Sequence, residues 1–78
     1  MPTLLIWQGY KFRFYSSDGG EPPHVHIVKD KRSAKVWLIN MEIAYNHGYN
    51  NREVAEFLAK IDESRADWME KWNEFFGI

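Results

Sequence analysis

The spacing of hydrophobic residues changes once along this chain, at Asn50. Before that point apolar and polar side chains alternate, most clearly from Tyr10 to Tyr15, which is typical of half-buried β-strands. Beyond it, apolar residues recur every three or four positions from Val54 to Phe76, which predicts an amphipathic helix. Strands first and a helix last favour an α+β fold, with an antiparallel sheet and the helix packed on one face.

The first part of the chain divides into short strands separated by turn residues. The predicted strands are 3–7, 10–15, 24–29 and 33–38, with 40–45 either a fifth strand or an irregular link. Gln8-Gly9 predicts a hairpin between the first two strands, and 46–49 is expected to be a turn. We expect one domain, 1–78, with the sheet at 3–45 and the helix at 51–76.

The predicted helix has a clear start and one weak stretch. Asn50 with Glu53 three residues later forms a capping-box pattern. No Pro or Gly interrupts the sequence from there until Gly77. The polar stretch 62–67 is where a break into two helices would occur, and we favour one long or bent helix.

Strand alternation assigns two faces to the sheet. Tyr10, Phe12 and Phe14 belong to the face beneath the helix, where Val54, Leu58 and Ile61 supply the second layer. The opposite face collects cations, aromatic rings and histidines: Lys11, Arg13, Tyr15, His24, His26, Lys35 and Trp37. This combination favours binding of RNA or another anion, since bases stack on rings and phosphates pair with cations.

The segment Glu21-Pro22-Pro23-His24-Val25-His26 places two imidazoles on one side of a strand after a stiffened loop. Three interpretations are open. The histidines could be the general acid and base of an RNA-cleaving site. With Glu21 or His47 they could bind a divalent metal ion, although no cofactor is predicted. They could also be structural groups that cap the loop and pair with carboxylates or backbone.

Two further regions are candidates for binding. His47 and Arg52 flank the predicted start of the helix, where anions are attracted, although Glu53 already complements the helix dipole. The far end of the helix carries four large aromatic residues: Trp68, Trp72, Phe75 and Phe76. We expect this end to overhang the sheet and to meet another chain through at least two of these rings.

Composition restricts the setting. The chain contains no cysteine, which excludes a disulfide framework and suits a reducing compartment. No apolar run is long enough for a membrane span, and residues 1–3 lack the charged start of a signal peptide. The formal net charge is −1, with a basic excess in the first 49 residues and an acidic excess in the rest. We expect a cytoplasmic protein.

Several segments carry a family resemblance: Met1-Pro2-Thr3, 9–16, Glu21-Pro22-Pro23-His24-Val25-His26, 34–38 and 44–49. In these segments the chain resembles domain-of-unknown-function family 4160. The resemblance implies a small bacterial cytosolic protein, encoded beside another small protein in pairs that look like toxin–antitoxin modules. It supplies no established catalytic residue.

We therefore expect a component of a two-protein module of toxin–antitoxin type, with RNA or another anion bound at the histidine-bearing face. The partners would be a small protein encoded nearby, a second copy of the chain or RNA, and no membrane. One alternative is a non-catalytic protein–protein interaction domain. The other is a metal-dependent hydrolase that uses His24 and His26 with Glu21.

Overall fold

The computed structural model describes residues 3–77 and contains one five-stranded antiparallel sheet followed by one helix. The strands are β1 (Thr3–Trp7), β2 (Tyr10–Arg13), β3 (His24–Lys29), β4 (Arg32–Trp37) and β5 (Ile43–His47), and the helix is α1 (Asn51–Phe76). A short 3₁₀ helix, Ser16–Gly20, lies between β2 and β3. Each strand pairs with the next in sequence. The predicted α+β fold is confirmed; its predicted limits reach Met1, Pro2 and Ile78, which lie outside the described residues.

Two-residue turns connect β1 to β2 and β3 to β4. At the first of them, Gln8 and Gly9 have φ values of 51° and 84°, the left-handed conformations that a tight hairpin turn requires. The hairpin prediction is therefore confirmed. The turn prediction at 46–49 is wrong for its first half, because Asn46 and His47 continue β5. The Asn46 side chain instead makes the turn, with its Oδ1 accepting from the Tyr49 N–H at 3.0 Å.

The core lies between α1 and the sheet face that α1 covers. The alternating residues Tyr10, Phe12, Val25, Ile27, Ala34 and Val36 from β2, β3 and β4 are buried there. Phe57, Ile61 and Trp68 supply the buried layer of the helix, with Val54 and Leu58 partly buried at its edge. Strand parity thus places the apolar set under the helix, as the sequence predicts.

The helix is continuous through 62–67 and ends at a left-handed Gly77 with φ 70°. At its start the Asn50 side chain accepts from the Glu53 N–H at 2.9 Å, and the Glu53 side chain accepts from the Asn50 N–H at 3.1 Å. In its weak middle stretch the Arg65 guanidinium donates to the carbonyls of Leu38 and Ile39. This anchor holds the polar turn of the helix against the β4–β5 connection.

The sequence predicts that the far end of α1 overhangs the sheet, and this prediction is wrong. Trp68 is 3% and Trp72 is 1% exposed, because Phe12 and Phe14 lie beneath them with ring centroids 5.3 and 5.0 Å away. The chain continues past β2 into Phe14 and the 3₁₀ helix, and this extension fills the space under the helix end. Among the four aromatic residues proposed to meet another chain, Phe75 alone is largely exposed, at 47%.

Phe76 is half-buried, with its ring centroid 5.6 Å from that of Phe14. It also lies close to Gly19, where a Cβ would come within 2.8 Å of the Phe76 ring. A side chain at Gly19 would therefore force the helix end and the 3₁₀ helix apart. In the described part of the chain, no helix is long and apolar enough to span a membrane.

Candidate functional site

The sheet face turned away from α1 carries a row of polar residues across four strands. Arg13 pairs with His26, His26 with Lys35, and Lys35 with Tyr45. Directly paired residues of neighbouring strands share a face, so these side chains project together. We call this surface the outer face; it also holds Lys11, His24, Ser33, Trp37 and His47, each placed there by its register. The alternation in the sequence predicts this common face.

The 3₁₀ helix brings a carboxylate to the outer face. Asp18 accepts from the Tyr15 N–H through its side chain at 2.8 Å, and the Asp18 N–H donates to the Tyr15 carbonyl at 3.0 Å. These two bonds hold Asp18 against Tyr15, beside the start of β3. Its carboxylate Oδ2 lies 3.1 Å from Nε2 of His24 and 3.1 Å from Nε2 of His26. We call these three residues the Asp18 cluster.

His24 is buried within the cluster, with 0% of its side chain exposed. Its Nδ1 lies 2.9 Å from the Pro22 carbonyl, which can only accept a hydrogen bond, so the hydrogen of the neutral ring is on Nδ1. Trp37 and Trp72 enclose the ring with centroids 5.4 and 5.0 Å away. The Pro22-Pro23 loop and the helix end therefore orient this imidazole together.

His26 lies beside His24 and is more accessible, with 12% of its side chain exposed. Its Nε2 and Nδ1 lie 3.1 Å from Asp18 Oδ2 and 3.3 Å from the Tyr45 hydroxyl. The Tyr15 ring lies 4.8 Å from the imidazole, centroid to centroid. Because a tyrosine hydroxyl donates or accepts, Tyr45 is compatible with either neutral tautomer of His26.

The ionisation of the cluster follows from these contacts. Burial alone would raise the pKa of Asp18, but the Tyr15 N–H and both imidazoles outweigh it and hold that pKa below its ordinary value. Burial lowers the pKa of His26, although the Asp18 carboxylate acts in the opposite direction. The cluster thus combines an ionised carboxylate with a His26 ring that is neutral at pH 7.

Glu21, predicted as a metal ligand with the histidines, lies on a different side of His24. Its carboxylate is 3.6 Å from Nδ1, the nitrogen already bonded to Pro22, and it accepts from the Lys35 ammonium. That hydrogen bond to Lys35 lowers the pKa of Glu21. The carboxylate grouped with both histidines is that of Asp18, and Glu21 is not part of this cluster.

The cations of the outer face lie against aromatic rings. The Arg13 guanidinium is 5.2 Å from the centroid of Tyr15, and the Lys35 ammonium is 4.6 Å from that of Trp37. Lys11 is exposed. Six of the seven residues predicted for this face therefore lie in or next to the Asp18 cluster, and Lys11 shares the face through its register with Val28.

His47 and Arg52, the other predicted binding residues, do not join the cluster. His47 is exposed at the end of β5, with its ring centroid 4.8 Å from that of Tyr45. Arg52 lies on the first turn of α1, which packs against the opposite face. The nearby helix start is already capped, and Arg32 pairs with Glu53 there at 2.7 Å. This leaves little reason for an anion to bind at that end.

Sequence signals are weak for Asp18 and Tyr45, the two site residues that were not predicted. The Ser16–Gly20 stretch is a turn composition, and Asp at its third position is suited to accept a backbone N–H. That signal locates Asp18 in a turn but does not aim it at the histidines. Tyr45 lies on a strand whose register shifts between Lys35 and Val36, which alternation alone does not reveal.

Comparison with known proteins identifies the chain at the level of a family. No curated protein and no solved structure matches it significantly. A family model matches residues 9–73, which include all of β2 to β5 and the Asp18 cluster. The chain therefore belongs to the family described as a domain of unknown function, DUF4160.

Proposed function

We propose that the outer face binds single-stranded RNA and that the chain acts in the cytoplasm as one component of a two-protein module of toxin–antitoxin type. The observation that carries the RNA proposal is the row Arg13–His26–Lys35–Tyr45 on the outer face, where 12% of the His26 and 13% of the Lys35 side chain is exposed. Single-stranded nucleic acids bind where aromatic rings accept stacked bases and adjacent cations pair with phosphates.

A cavity beside this row offers room for a base. It has a volume of about 260 Å³, and Pro22, Trp37 and Ile39 are among its lining residues. The Lys35 ammonium lies over the Trp37 ring, 4.6 Å from its centroid. A base stacked on Trp37 would bring its phosphate within reach of a lysine, which is the arrangement that sequence-tolerant RNA binding uses.

We propose binding rather than cleavage by the two histidines. A general acid or base must come within about 2.6–3.2 Å of the atom with which it exchanges a proton. His24 has no exposed surface, so a substrate atom cannot reach it in this arrangement. The catalytic role that the sequence suggests for His24 and His26 as a pair therefore finds no support in their burial.

The module part of the proposal is supported by the gene context that the family resemblance implies and by exposed apolar side chains. Ile39, before the edge strand β5, is 54% exposed, Ile43 at the start of β5 is 39% exposed, and Phe75 at the helix end is 47% exposed. Co-expression with the neighbouring gene should relieve growth inhibition caused by the chain alone. If the chain has no effect on growth and the two proteins do not co-purify, the module proposal fails.

Fluorescence anisotropy with a labelled single-stranded RNA tests the binding proposal. Lys11→Ala removes one exposed cation of the outer face, and Lys31→Ala is the matched control in the β3–β4 turn. We expect Lys11→Ala to weaken binding and to reduce the slope of log affinity against log salt by about 0.7, one phosphate contact. Trp37→Ala should cost about 1–3 kcal/mol of binding free energy through lost stacking.

Two results would contradict this proposal. One is the absence of binding by the unmodified protein to mixed-sequence single-stranded RNA at low salt. The other is an equal loss of affinity in Lys11→Ala and Lys31→Ala, which would indicate general charge attraction rather than a site on the outer face.

A further inference from the structure

One nitrogen of the Asp18 cluster is buried without a hydrogen-bond partner. His24 donates through Nδ1 to the Pro22 carbonyl, which leaves a lone pair on Nε2. That Nε2 has no hydrogen-bond partner, although Asp18 Oδ2 is only 3.1 Å away. The two atoms are at hydrogen-bond distance but do not have hydrogen-bond geometry. A well-aligned hydrogen bond therefore does not account for their approach.

A metal ion does account for it. Ligands of one metal point at a common centre and lie side by side rather than pointing at each other. Bonds of about 2.0–2.1 Å in a tetrahedral site place neighbouring ligand atoms about 3.3 Å apart. Both imidazole Nε2 atoms lie 3.1 Å from Asp18 Oδ2; that of His26 is hydrogen-bonded to it, and a metal ion would take the place of that hydrogen. The three donor atoms all lie within 4.8 Å of one another.

The surroundings of the cluster also fit metal ligation. A histidine that binds a metal usually donates its other ring N–H to a carbonyl, carboxylate or water, which fixes its tautomer and orientation. Pro22 provides such an acceptor for His24, and the Tyr45 hydroxyl can provide one for His26. Trp37 and Trp72 pack around the His24 ring and exclude water from it.

We propose that Asp18, His24 and His26 form a binding site for a first-row divalent transition metal ion of the Zn²⁺ type. Two imidazoles and one carboxylate suit such ions, whereas Mg²⁺ and Ca²⁺ prefer oxygen ligands. Three protein ligands leave the fourth tetrahedral position to water or to an exogenous ligand. The opening lies on the His26 side, where 12% of His26 and 15% of Asp18 is exposed.

Isothermal titration calorimetry with ZnCl₂ on the chelator-stripped full chain tests the proposal. The unmodified protein should bind one Zn²⁺ per chain, and MgCl₂ should give no comparable heat. Loss of a residue that only supports a metal ligand typically weakens metal binding about 10–100-fold. Asp18→Asn and His26→Gln each remove a proposed ligand and should weaken Zn²⁺ binding by more than that. His47→Gln is the matched control, because His47 lies on the same face outside the cluster and should leave affinity unchanged.

Thermal melting separates loss of the site from loss of the fold. Without metal, Asp18→Asn and His26→Gln should still unfold cooperatively, which shows that they fold. With ZnCl₂ the melting temperature should rise for the unmodified protein and for His47→Gln. It should not rise for Asp18→Asn or His26→Gln. Absence of Zn²⁺, Co²⁺ and Ni²⁺ binding by the unmodified protein would overturn the proposal. So would Zn²⁺ binding that survives unchanged in Asp18→Asn and His26→Gln. RNA anisotropy on the stripped protein gives a separate result, so failure of either proposal can be recognised.

Discussion

The two faces of the sheet differ in whether their buried polar side chains have hydrogen-bond partners. On the face under α1, the Tyr10 hydroxyl donates to Glu56 at 3.2 Å, and the Tyr49 hydroxyl lies 3.0 and 3.2 Å from the carbonyls of Ile27 and Arg32. Within residues 3–77, the buried side-chain nitrogens without partners are Arg13 Nε and His24 Nε2, and both belong to the outer face.

This difference separates stability from binding. A buried polar group without a partner costs about 1–3 kcal/mol, so a face that carries two of them is not optimised for folding. Such groups are expected where a ligand completes the hydrogen bonding or coordination. The face under α1 therefore holds the fold together, and the outer face carries the unpartnered groups on which the metal-binding proposal depends.

The largest expected effect is a core truncation under α1. Phe12 is 0% exposed and packs against Trp68 with ring centroids 5.3 Å apart. Phe12→Ala should lower the free energy of unfolding by about 3–5 kcal/mol, because it removes buried apolar surface and leaves a cavity. Urea denaturation measures this. A loss below about 1 kcal/mol would show that the helix-covered face is not the stabilising one.

A smaller effect concerns Tyr49 and alkaline pH. Burial raises the pKa of Tyr49 to about 12 from an ordinary value of 10.0. The folded chain then keeps the proton that the unfolded chain loses, so stability is present below pH 10 and falls between pH 10 and 12. The expected loss is about 2–3 kcal/mol across that window.

Tyr49→Phe is the control for that pH dependence. Below pH 10 it should be less stable than the unmodified protein by about 1–3 kcal/mol, because it leaves buried carbonyls without their donor. Between pH 10 and 12 the difference between the two proteins should shrink. Parallel pH profiles from chemical denaturation would show that Tyr49 ionises freely in the folded state.

The sequence predicted the faces of the sheet better than the contents of the site. Alternation from Tyr10 to Tyr15 is a local property, and burial of one face is enough to enforce it. Asn50 and Glu53 also act locally, so the start of the helix was predictable. These features need no knowledge of how distant segments meet.

The position of Asp18 depends on distant contacts and could not be predicted in this way. It requires the Ser16–Gly20 turn to fold back over the end of β3, and Phe76 packs against Gly19 at that turn. The burial of His24 requires Trp72 from the last turns of α1 to reach it. Helix length is readable from the sequence, but the path of the helix end across the sheet is a tertiary property.

The smallest expected effect on stability comes from the outer face. Arg13→Met keeps most of the side-chain stem and removes a guanidinium whose buried Nε lacks a partner. The free energy of unfolding should change by less than about 0.5 kcal/mol, because loss of the contact with Tyr15 and relief of the unpaired nitrogen act in opposite directions. The same variant should bind single-stranded RNA more weakly. A large destabilisation with unchanged RNA affinity would reverse the assignment of the two faces.

The difference between the two faces is tested most directly by long-range ¹H–¹⁵N NMR of the three histidine rings at neutral pH, before and after addition of ZnCl₂. We expect His24 to show the tautomer with hydrogen on Nδ1 and an unprotonated Nε2. Zn²⁺ should then shift the Nε2 resonances of His24 and His26 and leave His47 unchanged. A doubly protonated His24, or a ring with its hydrogen on Nε2 that does not respond to Zn²⁺, would contradict an unpartnered lone pair at the Asp18 cluster.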